Sequence, residues 1–126
     1  MNMRIAVPSM NPGGLEAPLM GHFGKCEVFT VVELEGEEVQ NVAVLPNLPH
    51  EHGGCTAPVD FLAKHGVSVL LAGGMGMRPL QAFGEKHIEV RFTGIEKTVG
   101  GALKAFINNK LPLFGDNGLC KGGCNH

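Results

Sequence analysis

The sequence predicts an α/β fold. It reads as a single domain built on a five-stranded mixed sheet, with element order β-β-β-α-β-α-β-α and helices on both faces. Three observations predict it. Two valine-rich segments, Cys26 to Leu34 and Val39 to Leu45, flank the short charged run Glu35-Gly36-Glu37-Glu38, the pattern of an antiparallel hairpin. Val67 to Ala72 is a continuous apolar run that stops at Gly73-Gly74, as a strand buried on both faces should. After it, helical and strand periodicities alternate, which implies crossover connections and parallel strands.

Each element follows in order. Arg4-Ile5-Ala6-Val7-Pro8 is a short apolar first strand. Ser9 to Lys25 is a long connection holding Pro12, Gly13, Gly14, Pro18, Gly21 and Gly24. A loop of this length in a compact domain is usually functional or disordered. The hairpin comes next, then an irregular stretch from Pro46 to Gly54. Thr56 caps a helix with Pro58 in its first turn, Val59, Leu62 and Ala63 at helical spacing, and Gly66 as its stop. Gly73-Gly74-Met75-Gly76 turns from the buried strand into a helix over about Met77 to Glu85. Ile88, Val90 and Phe92 alternate with Glu89, Arg91 and Thr93, so this strand lies nearer an edge. A last helix over about Ile95 to Asn108 puts Val99, Ala102, Leu103 and Phe106 on one face. Residues 1–110 form the α/β domain and 111–126 a flexible tail.

The hairpin leaves the third strand parallel to the first, and the crossovers keep the later strands parallel too. The segments after strands one, three, four and five therefore emerge at one edge of the sheet, where strand two also begins. That edge gathers His22 and Cys26, His50, His52 and Cys55, Met75 and Met77, and Thr93 to Lys97. Open α/β sheets bind ligands there, outside the carboxyl ends of their strands.

Composition narrows the function. A net charge of −2 argues against a general binder of nucleic acid or anionic membrane. With no Trp and no Tyr, base stacking would rest on seven Phe, most of them at core-like positions. The apolar run before Pro8 is too short for a signal peptide, and no stretch approaches a membrane span. A cytoplasmic, reducing setting follows, in which four Cys are thiols or ligands rather than disulfides. The common catalytic designs are also missing. Ser9 and Ser68 are the only serines, Asp60 and Asp116 the only aspartates, and neither a nucleophile elbow nor a cluster of acidic metal ligands can be built.

Three candidate sites remain. The first is the edge itself, where His22, His52 and Cys55 are joined by the thioethers of Met10, Met20, Met75 and Met77. Thiolate, imidazole and thioether together suit Cu(I), iron–sulfur or molybdenum–sulfur chemistry. The structural alternative is flexible methionine filler over solvated loops. The second is Gly73-Gly74-Met75-Gly76-Met77-Arg78. Its glycines permit close backbone approach, the helix start offers free N–H groups, and Arg78 adds a positive charge. Pro79 stands where a dinucleotide fingerprint needs its third glycine, and no phosphate-binding G-x4-G-K-[ST] run exists. A tight turn without a ligand is the alternative. The third is the tail, where Cys120, Cys124 and His126 supply three ligands and a closed zinc site needs four. About a dozen residues can extend about 40 Å, enough to fold over the edge and complete a site with Cys55 or His52. The alternative is a disordered tail with incidental thiols.

Four motifs carry a family resemblance: Arg4-Ile5-Ala6-Val7-Pro8, Gly21-His22-Phe23-Gly24 with Phe29 following, His52-Gly53-Gly54-Cys55, and Gly73-Gly74-Met75-Gly76. Over residues 3 to about 110 the chain resembles the dinitrogenase iron–molybdenum cofactor-binding family. The resemblance implies a ribonuclease H-like fold. It also implies a relation to nitrogenase cofactor carriers and to the orange protein, which holds a molybdenum–copper–sulfide cluster. His22 and Cys55 match positions in the family's motifs, while a nuclease's carboxylates are absent.

Residues and resemblance lead to one expectation: a non-catalytic binder or carrier of an anionic metal–sulfur cluster. The cluster would be an iron–molybdenum cofactor precursor, an iron–sulfur or a molybdenum–copper type. Cofactor-binding residues are His22, Cys55, Gly74, Met75, Gly76 and Arg78. Metal ligands are Cys55, His52, Cys120, Cys124 and His126, with zinc at the tail a further option. Partners would be proteins that donate or accept the cluster, with no nucleic acid and no membrane, and the chain a monomer or weak homodimer. The alternative is a zinc- or iron-stabilised regulatory or interaction module with a redox-sensitive thiol tail.

Overall fold

Ile5, Ala6 and Val7 are fully buried, and the strand that carries them is the middle of the sheet. In this computed structural model, which describes residues 2–20, 27–46, 57–74, 77–94 and 96–113, that strand is β1 (Asn2–Ser9). It pairs antiparallel with β2 (Val28–Glu35) and parallel with β4 (Val69–Ala72). β3 (Glu38–Pro46) pairs antiparallel with β2, and β5 (Glu89–Phe92) parallel with β4. The order is β3-β2-β1-β4-β5, which places β5 at an edge as its alternation predicts.

Period-two alternation divides the strand side chains between two cores. On one face Ala6, Phe29, Val31, Leu70, Ala72 and Val90 pack under α1 (Ala57–Lys64) and α2 (Met77–Glu85), which contribute Val59, Leu62 and Phe83. On the other, Ile5, Val7, Val32, Leu34, Val69 and Leu71 pack under α3 (Val99–Ile107), which contributes Val99, Ala102, Leu103 and Ala105. Helices thus lie on both faces, as predicted.

Two details depart from the sequence reading. α3 begins at Val99, four residues later than the spacing predicts, because Thr98 is extended (φ −126°, ψ 160°) and its side chain accepts the Gly101 N–H. The long connection after β1 is pinned over its described part. Met10 N–H donates to Pro18 and Met20 N–H to Pro8, which fold residues 10–20 back along the end of β1. Val99 and Gly100 N–H then donate to Ala17 and Leu15 carbonyls at 3.0 and 2.7 Å. A Cβ on Gly100 would lie 3.0 Å from the Leu15 carbonyl oxygen, so glycine eases that approach and any larger residue would push the main chain back by a few tenths of an ångström. Beyond α3 the chain stays on the sheet: Leu111 is buried, and Phe92 N–H donates to the Pro112 carbonyl.

Candidate functional site

The strand register defines the candidate site as an edge. Ser9 stands opposite Val28, Val28 opposite Pro46, and Ala72 opposite Phe92. The carboxyl ends of β1, β3, β4 and β5 and the start of β2 are therefore aligned. The helices enter from the same side. α1 ends at the opposite edge, where the His65 carbonyl accepts from the Arg4 guanidinium near the start of β1.

Of the residues singled out by sequence, the described chain places Gly74 and Arg78 here. Gly74 is buried just past β4, and Arg78 is exposed in the first turn of α2. Met77 opens that helix, about two-fifths exposed. Met20 is half-buried against the core under α1 and α2, so packing accounts for it, while Met10 is exposed. His22, Cys26, His50, His52, Cys55, Met75, Gly76, Cys120, Cys124 and His126 lie outside the described residues. The described residues that bracket three of their segments do sit at this edge. Met20 and Glu27 N–H groups donate to the Pro8 and Ser9 carbonyls, Pro46 ends β3, and Gly74 follows β4.

The start of α3 is filled from within the chain. α3 spends its first free N–H groups on this chain: Val99 on Ala17, Gly100 on Leu15 and Gly101 on Thr98 Oγ1. It has no amide left for an anion. Leu19 N–H also donates to the Lys97 carbonyl, which ties residues 10–20 to the segment before α3. Among the described residues, positive charge at the edge comes from Arg78 and Lys97, and Glu27 is engaged by the Asn11 N–H at 2.8 Å.

Among the described residues, no three His, Cys, Asp or Glu side chains converge to hold a metal ion. The two described imidazoles, His65 and His87, follow the C-termini of α1 and α2. What sequence reasoning missed is a groove of about 200 Å³ lined by Arg4, Val31, Glu33, Asn41, Ala43, Leu45 and His65. Arg4 donates to Glu33 at 3.0 Å and Asn41 to the second Glu33 oxygen at 3.3 Å. The Arg4 hydrogen bond, then that of Asn41, then the Arg4 charge hold the Glu33 carboxyl below the usual glutamate range. The signal was present: Arg4, Glu33 and Asn41 interrupt apolar strands at positions that face one another once the hairpin forms.

Comparison with known proteins matches this framework. The family model described as dinitrogenase iron-molybdenum cofactor aligns with residues 1–109. The chain belongs to the dinitrogenase iron-molybdenum cofactor family. Similarity to individual proteins covers about nine-tenths of the chain. A Methanocaldococcus jannaschii protein, MJ0580, is 29% identical over 114 residues, 89% of this chain and 92% of that one. The crystal structure of PH0822 superposes with a TM-score of 0.77 at 32% identity, covering 90% of this chain and 98% of that chain. The apo form of the orange protein of Desulfovibrio gigas superposes with a TM-score of 0.75 at 29% identity, covering 89% and 92%. The family match takes in every strand and helix and ends before Leu111 and the segment of Cys120, Cys124 and His126.

Proposed function

We propose that the chain binds and carries an anionic metal–sulfur cluster without transforming it. The cargo is an iron–molybdenum cofactor precursor, an iron–sulfur cluster or a molybdenum–copper sulfide. One observation carries the reading. In a chain of the dinitrogenase iron-molybdenum cofactor family, the described residues next to the segments of His22, of His52 with Cys55, and of Met75 lie at the carboxyl edge of the sheet: Met20 and Glu27, Pro46, and Gly74. Similarity to the orange protein, known here in an apo form, supports it.

The donor chemistry fits such a cargo. Cys55 thiolate and the His22 and His52 imidazoles are soft ligands, and Met75 adds a thioether. Arg78 would balance negative charge, and Gly74 and Gly76 leave room for backbone N–H groups to approach. Cys120, Cys124 and His126 would cover or complete the site. No α3 amide competes for the anion, since that helix start is filled by this chain. Ser9 is buried with its hydroxyl bonded to the Val7 carbonyl and Thr30. Proteins that deliver and receive the cluster are the partners this role requires.

Anaerobic incubation with iron, molybdate or copper salts plus sulfide, followed by desalting, elemental analysis and a visible spectrum, tests the reading. A retained chromophore with metal and sulfide in fixed ratio to protein is expected, and Cys55→Ala should lose it. One zinc per chain without sulfide, or uptake unchanged in Cys55→Ala, overturns it.

A further inference from the structure

β3 runs for nine residues without one buried side chain, although Val39, Val42, Val44 and Leu45 are large and apolar. Val39 and Val44 are each about two-fifths exposed. The strand is bonded to β2 along one side and forms the edge of the sheet. The opposite edge is treated differently. β5 is covered by residues 111–113 through the Phe92 bond to Pro112, the Arg91–Leu113 bridge, and Arg91 donating to the Leu111 carbonyl at 3.1 Å.

Open edges are usually guarded by lysine, by internal proline or by inward charge. β3 has no Lys or Arg, its proline is its last residue, and its one charge, Glu38, is its first. One bulge interrupts its ladder near the start: Asn41 pairs with Glu33 and Val39 with Leu34, which leaves Gln40 as the extra residue of β3 and the regular stretch at Asn41 to Leu45. From Asn41 to Leu45 the strand is uncharged and regularly paired to β2, and no other described strand pairs with its outer side.

We infer that β3 is a self-pairing edge, and that two copies of this chain join antiparallel through it into a continuous ten-stranded sheet. The occupant is a second copy because the strand complements itself. A twofold axis through Ala43 sets each Val42 against Val44 of the other copy on the α3 face, and each Leu45 against the other Asn41 on the opposite face. The two Glu38 carboxylates then stand at opposite ends of the pair, so no like charges meet. Antiparallel pairing also turns the two carboxyl edges away from each other. Association therefore needs no metal and leaves each cargo edge open. A strand pair with its flanking side chains is smaller than the ~1,600 Å² of a standard stable interface, so the dimer should be concentration-dependent.

Sedimentation velocity on the metal-free full chain across a thousandfold concentration range tests this. A shift from monomer to dimer is expected, and Ala43→Lys or Val44→Lys should abolish it at unchanged circular dichroism. Hydrogen exchange on the unaltered protein provides a second readout. Protection of β3 amides should rise with concentration while that of β5 amides stays constant. A monomer at every concentration, a dimer indifferent to both lysines, or concentration-dependent protection located elsewhere overturns the inference. A dimer that forms only after metal and sulfide are added overturns it too, without touching the cargo reading.

Discussion

Glu33 shows how one polar residue is held in an apolar hairpin. Its carboxylate accepts from Arg4 and Asn41, and these bonds favour the charged form. A carboxyl whose folded pKa is lowered adds stability that is complete above its unfolded value of about 4.3 and is lost as pH falls through the lower folded value. Denaturant titrations between pH 2 and 7 should therefore show Glu33→Gln less stable than the parent near neutrality, with the gap closing in acid. A constant gap would mean the lost term is packing rather than charge. Thr98 is a residue the sequence hid. Ile95 and Val99 share helical spacing, which extends the apolar pattern back past the true start, whereas the cap is one hydroxyl on the Gly101 N–H. Thr98→Ala should cost about 0.5–2 kcal/mol in chemical denaturation, the usual loss for a removed N-cap oxygen.

All three helices end by one device. After α1, Gly66 N–H donates to Ala63 and Val67 N–H to Leu62. After α2, His87 bonds Gly84 and Ile88 bonds Phe83, and after α3, Asn109 bonds Phe106 and Lys110 bonds Ala105. This double bond pattern requires a left-handed residue, and Gly66, His87 and Asn109 have φ of +77°, +60° and +59°. Only the first was read from the sequence, since glycine advertises that conformation most strongly. The strain at His87 predicts that His87→Gly raises thermal stability by about 1 kcal/mol, and Asn109→Gly by less, because asparagine tolerates this region better. A lower melting temperature for His87→Gly would show that the imidazole makes up the difference. The sheet itself was legible because its signals are periodic: a charged hairpin turn, a continuous central run and an alternating edge. The path of residues 10–20 was not, because main-chain bonds to Pro8, Lys97, Val99 and Gly100 hold it, and no side-chain pattern encodes those.

At the scale of the whole molecule, topology alone aligned the carboxyl ends of four strands, and that much of the candidate site was legible from element order. The direction of the chain past α3 was not, since it depends on Leu111 finding the core under α3. Residues 111–113 run antiparallel to β5, so the chain is heading away from the carboxyl edge at Leu113. Cys120 lies seven residues further, a reach of about 25 Å when extended, against about 19 Å across the four strand spacings from β5 to β3. The thiols can return to any point of that edge only if the chain reverses. Two truncations separate folding from binding here. A chain ending at Lys110 loses burial of Leu111, worth about 1.5–3 kcal/mol, and strips the cover from β5. A chain ending at Leu113 keeps both, so its melting temperature should equal that of the full protein. Its retention of metal and sulfide after anaerobic loading should nevertheless fall, because Cys120, Cys124 and His126 are gone. Equal retention in the longer truncation would take those three residues out of the site and leave the cargo to His22, His52 and Cys55.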